Sequence, residues 1–157
     1  MSPRNHALVL LHLGDLSHYE DGESTLMPVL MRWLAGTGRL RMQTRVAYEV
    51  PWLGRRVDLA LITGRGVTSA FELKIGRLQR VLEQAAYNRS AFHRSWVVTA
   101  NRPRVDGLRW ARELGVGLLV VQGGVVTPLV APAIQRPHPA AIKRLRASIL
   151  TRSVVHD

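Results

Sequence analysis

Two carboxylates stand inside segments that are otherwise strongly apolar. Asp58 interrupts the run from Val57 to Thr63, and Glu72 interrupts the run from Thr68 to Ile75, with Lys74 two residues further on. A lone charge in such a run is expensive unless it is paired or binds a metal. Side chains alternate along a strand, so Glu72 and Lys74 share one face, and Phe71, Leu73 and Ile75 share the other, the core face. Gly64, Arg65 and Gly66 form a short glycine turn between the two runs. A hairpin symmetric about Arg65 opposes Asp58 and Glu72 directly, with Cβ atoms ~5 Å apart on one face. Like charges placed so repel unless something bridges them, and oxygen ligands suit Mg²⁺ or Mn²⁺. A metal held by two carboxylates can polarise a phosphoryl oxygen and generate hydroxide from bound water. A neighbouring ammonium can stabilise the charge of the transition state or help position the water. The structural alternatives are a solvent-facing Glu72–Lys74 ion pair on a sheet edge and an Asp58 that anchors a turn.

The composition sets the partner. The 157 residues suit one domain with a real core, and 46% hydrophobic content excludes general disorder. Lys and Arg exceed Asp and Glu by 22 to 11, a net +11, which asks for an acidic partner: nucleic acid first, an anionic membrane surface second. Twenty of the 22 cations are Arg, the better bidentate phosphate binder; the two Lys are Lys74 and Lys143. A GC-rich genome explains that bias but not its exceptions. A lysine kept at position 74 therefore argues for chemistry that needs a compact ammonium with an adjustable pKa. Without Cys there is no disulfide framework, thiolate metal site or Cys nucleophile. No apolar run reaches the ~18–20 residues that span a bilayer. Ala7 to Leu13 is apolar but short, and acidic residues follow it rather than a small-residue cleavage site. It reads as part of the fold, and the expected location is cytoplasmic.

Periodicity then supplies the elements. A helix is expected over 25–35, with Ser24 as N-cap, an apolar stripe of Leu26, Leu30, Trp33 and Leu34, and Gly36 and Gly38 as its end. Strands are expected over 40–50, 57–63 and 68–75, then a helix over 77–92 and a strand over 95–100. A helix over 105–114 and a strand pair over 116–121 and 125–130 follow. Residues 1–132 read as the domain; 133–157 read as a Pro-containing linker and a basic helix over 140–155. The fold class is α/β, an antiparallel meander followed by crossovers.

Asp58, thirteen intervening residues, then Glu72-Leu73-Lys74, in a strand–turn–strand setting, resembles the PD-(D/E)XK phosphodiesterase superfamily. The likeness covers about Ser24 to Ala100. It implies a restriction-endonuclease-like αβββαβ core, a mixed sheet flanked by helices. It implies a Mg²⁺- or Mn²⁺-dependent DNA endonuclease in which Asp58 and Glu72 bind metal and Lys74 assists. Many members add an acidic residue on the first helix, here Glu23 or Glu20, and a Gln or Tyr on the helix after the motif, here Gln84 or Tyr87. Members of this size often act as homodimers. Val57 stands where the motif's name has Pro, and Gln84 and Tyr87 are one residue closer than in one branch of the superfamily. A nucleic-acid-binding or complex-forming module that keeps the fold without cutting is the alternative.

Further residues fit a phosphate backbone. Arg39, Arg41 and Arg45 alternate along the expected first strand, and Arg55 and Arg56 precede Asp58. Arg77, Arg80, Gln84 and Asn88 form one polar helix stripe, either a solvated face or phosphate contacts with Gln84 orienting a water or ligand. Glu23 could equally favour its helix N-terminus, and Glu49 reads as a loop residue beside Pro51. The six His form no HxH or HExxH pattern, though His18 and His93 stand as single candidates. No Walker A or Rossmann glycine pattern is present. The basic C-terminal helix could bind DNA or a membrane; more often such a helix docks its Ile/Leu side, and no membrane partner is expected.

Overall fold

The computed structural model describes residues 2–13 and 22–153. Among the described residues five α-helices surround one sheet: α1 (Pro3–Leu13), α2 (Leu26–Gly36), α3 (Leu78–Asn88), α4 (Val105–Leu114) and α5 (Pro139–Arg152). The sheet is mixed and six-stranded, and its strands lie side by side in chain order. They are β1 (Arg45–Trp52), β2 (Arg55–Ile62), β3 (Thr68–Lys74), β4 (Arg94–Thr99), β5 (Gly117–Gln122) and β6 (Val125–Val130). β1 to β3 form an antiparallel meander, β3 to β5 run parallel, and β6 returns antiparallel. The parallel steps need crossovers, and α3 and α4 supply them.

Alternation along the strands builds two cores. Leu59, Leu61, Phe71, Leu73, Trp96, Val98 and Leu119 face α1 and α2, meeting Leu26, Leu30, Met31 and Leu34. On the opposite face Ala60, Ile62 and Ala70 meet Leu145 and Ile149 of α5, while Val97 and Leu118 meet Val81, Leu82 and Ala85 of α3. Leu30, Met31 and Leu34 are fully buried, and each such side chain contributes about 1.5–3 kcal/mol by leaving water. The C-terminal helix thus docks on the sheet through the Ile/Leu side read from its sequence. Among the described residues no helix is long and apolar enough to cross a membrane.

Several local expectations are corrected. Ser24 is not the cap of α2: it lies in a 3₁₀ turn over Gly22–Thr25, and Thr25 stands at the cap position, its hydroxyl donating to the Gly22 carbonyl at 2.8 Å. Arg39 and Arg41 are not on a strand. The Arg39 and Leu40 amides wrap back onto the Leu34 carbonyl, and a turn closes as the Thr44 amide donates to Arg41 O and the Arg41 amide to Thr44 Oγ1. β1 therefore starts only at Arg45, so the three arginines cannot track a backbone by alternation. Glu49 lies within β1 rather than in a loop, and the neighbouring Pro51 is tolerated because β1 is an edge strand. The helix expected over 77–92 ends at Asn88; Ala91 and Phe92 are buried in the turn that follows.

Candidate active site

The β2–β3 hairpin closes as its glycines require. Gly66, at φ +81°, donates to the Thr63 carbonyl at 2.8 Å, and Thr63 donates to Val67 at 2.9 Å. From there the ladder pairs Ile62 with Thr68, Leu61 with Ser69, Ala60 with Ala70 and Leu59 with Phe71. This is the register read from the sequence, and one more step sets Asp58 against Glu72. At that step backbone pairing stops. Asp58 takes over with its side chain: Oδ2 accepts the Leu73 amide at 2.7 Å.

A kink turns Asp58 toward β3. Val57 and Ala60 both face α5, although they are three residues apart, and in β1 Ala47 and Val50 do the same. Strict alternation would send each pair to opposite faces. The break falls at Glu49, whose φ is +51°, and at Asp58, which the pairs Tyr48–Leu59 and Val50–Val57 leave opposite it. Irregularities of this kind re-aim a side chain. Asp58 therefore does not stand on the Glu72 face by simple alternation; its carboxylate reaches along the sheet to the backbone of β3.

Glu72 is 5% exposed, and its Oε1 accepts the Asn88 side-chain amide at 2.7 Å. Burial, and then the charge of Asp58, push its pKa up to about 8, against the lowering effect of the Asn88 bond. Burial likewise raises Asp58, opposed by the Leu73 hydrogen bond and reinforced by the charges of Glu49 and Glu23. Each acid thus accepts from a neutral donor, and the two carboxyl groups also hydrogen-bond to each other, Glu72 accepting besides from the Asp58 backbone.

Lys74 ends β3, half-exposed, and pairs with Glu23 at 2.5 Å. This places Glu23 at the mouth of the site as a partner of the lysine. Among the described residues no three His, Asp or Glu side chains gather as a ready metal cage, so Asp58, Glu72 and Glu23 do not form one. Glu20 and His18 lie outside the described residues. Gln84 is half-buried on α3, one turn before Asn88; Asn88, not Gln84, reaches the carboxylate. Its signal in the sequence is its place on the Gln84 stripe at the last turn of the helix. Tyr87 is exposed and carries the Arg55 guanidinium 5.0 Å above its ring. Arg45, Arg56, Arg77 and Arg80 are exposed. His93 is structural: Nδ1 accepts the Thr68 amide at 3.1 Å, and burial, then Arg94 and Arg146, lower its pKa.

No protein-family model and no curated protein matches the chain. A solved structure, that of the SPO1766 protein of unknown function from Silicibacter pomeroyi, is similar at a TM-score of 0.51 and 20% identity, over 69% of this chain and 73% of that one. The likeness is one of fold.

Proposed function

We propose that this chain is a DNA endonuclease of the restriction-endonuclease-like, PD-(D/E)XK type, working in the cytoplasm with Mg²⁺ or Mn²⁺. The observation that carries this reading is the meeting of Asp58 and buried Glu72 where the β2–β3 ladder gives out, beside Lys74. The donor set suits a hard divalent cation: two adjacent carboxyl groups, whose mutual hydrogen bond a bound ion would replace. Such an ion would supply a polarised phosphoryl oxygen and a water of lowered pKa. Leu73 and Asn88 fix the two carboxylates in place, as partners behind metal ligands do. Lys74, once released from Glu23, neutralises charge that builds on the phosphate under attack. Gln84 orients a water or ligand, and Arg55, Arg56, Arg77 and Arg80 hold the phosphate backbone. Two copies acting as a homodimer would cut both strands.

A second reading is a nucleic-acid-binding or complex-forming module with the same fold that does not cut. It is favoured by the engagement of Lys74 with Glu23 and by the lack, among the described residues, of a third ligating side chain. One experiment separates the two. Supercoiled and linear DNA are incubated with Mg²⁺ or Mn²⁺ and wild type or Lys74→Ala. Metal-dependent cutting that falls about 100-fold or more in the variant supports the nuclease. Binding without cutting in any metal, across duplex, branched and single-stranded DNA and RNA, sinks it and leaves the binding module.

A further inference from the structure

The other end of the β2–β3 hairpin holds a second constellation. A cleft of about 600 Å³ opens there, lined by Arg39 and Arg41 from the α2–β1 turn, Arg65 from the hairpin tip and Arg94 from the start of β4. Its floor is the core face of the sheet at Leu61, Phe71 and Trp96, the side that α1 and α2 cover. Asp58 lies four residues up β2 from Ile62, ~13 Å of strand, and Glu72 packs against α3 on the opposite face. The cleft and the carboxylate pair therefore share no residue.

Among the described residues the four arginines line this cleft without a counter-charge. Among the described residues the ion pair is Lys74 with Glu23, and none of the four arginines has a carboxylate within 4 Å. Two of them are pre-positioned. Arg39 sits 4.8 Å above the Trp33 ring and 5.9 Å from that of Trp96. Arg41 Nε donates to the Gly38 carbonyl at 2.9 Å, which leaves its two terminal nitrogens for another acceptor. Such forks match phosphate oxygens in pairs. The volume is that of a small-ligand site.

We propose that this cleft is a phosphate-recognition site, separate from the carboxylate pair, for a phosphate-bearing ligand. That ligand is either a stretch of nucleic-acid backbone or a free nucleotide or polyphosphate. The site goes beyond the nuclease reading and stands whether or not the chain cuts.

The test is binding in EDTA, so that cutting plays no part. Wild type, Arg41→Gln/Arg65→Gln and a control of equal charge on α4, Arg109→Gln/Arg112→Gln, are titrated with a 20-base-pair duplex, ATP and pyrophosphate. All four positions are exposed, so folding should survive; melting temperature checks it. Loss of duplex affinity by about tenfold, with a salt slope reduced by between one and two, confined to the cleft variant, identifies the backbone as ligand. Quenching of tryptophan fluorescence by ATP or pyrophosphate in wild type, abolished in the cleft variant, identifies a free phosphate ligand. Equal losses in the cleft and control variants, or no response to any probe, overturn the site.

Discussion

Glu72→Gln should make the metal-free chain more stable at neutral and alkaline pH, although it removes a group placed at the centre of the candidate site. The folded chain holds the Glu72 proton up to about pH 8, whereas the unfolded chain gives it up near 4.5. Between those values unfolding releases a proton, so stability falls as pH rises, by about 1.4 kcal/mol per pH unit. Across the whole window the loss is on the order of 5 kcal/mol, a ceiling because Asp58 shares the titration. Gln keeps the shape and can still accept from Asn88, but it has no proton to lose. Urea unfolding in EDTA at pH 5, 6, 7 and 8 reads the difference. The two proteins should agree near pH 5, and the variant should lead by a few kcal/mol at pH 8, worth about 10 °C in Tm for a chain of this size. Mn²⁺ should then raise the Tm of wild type and leave the variant unmoved. Parallel pH profiles, or a variant less stable at pH 8, would refute the buried, charge-burdened Glu72 on which the argument rests.

Three other perturbations probe different parts of the structure. Asn88→Ala strips a buried carboxylate of its donor, so it should cost about 1–3 kcal/mol and weaken Mn²⁺ binding at least tenfold; Mn²⁺ titration of the Tm shift checks it, and unchanged affinity would detach Asn88 from the site. His93 is neutral in the fold because burial and two arginines depress its pKa, so the unfolded chain takes the proton first and stability should fall as pH drops below about 6.5. That decline runs opposite to the Glu72 effect, and it should be missing from the acid side of the His93→Gln profile. Leu53 is exposed and sits at φ +47° in the two-residue β1–β2 turn beside Gly54. Leu53→Asn should stabilise by about 0.5–1 kcal/mol in urea unfolding, since Asn tolerates that conformation and Leu does not; a loss would mean the turn is not of this type.

The hairpin shows how far the sequence could be read. Gly64 and Gly66 bracket Arg65, apolar runs of seven and eight residues flank them, and the register through Leu59–Phe71 follows from symmetry about Arg65. Symmetry could not show that the backbone ladder ends there, because that depends on Glu49, distant in sequence and read as a loop residue. Leu53-Gly54 was the available signal: as a two-residue turn it sets Glu49 across from Asp58. Asn88 was hidden for a related reason. Helical periodicity groups it with exposed Arg77 and Arg80, and only the packing of α3 over β3 decides that this end of the stripe is buried. The arginines of residues 39–41 misled because alternation of charge resembles a strand even where backbone amides fold back onto α2. The α1 segment was legible as part of the fold but not as a helix.

The bond between Asp58 Oδ2 and the Leu73 amide ties the proposed chemistry to architecture. A side chain that completes a sheet cannot drift freely once its chemistry is no longer needed. If the nuclease reading holds, descendants that abandon metal would still have to cap that amide, so Asn should replace Asp58 far more readily than Ala, Leu or Lys. Lys74, whose ammonium lies at the half-exposed mouth and closes no backbone gap, is under no such constraint. Decay of the site should therefore begin at the lysine and reach position 58 last, and an Asp retained beside a lost Lys would mark a sheet still in use rather than an enzyme.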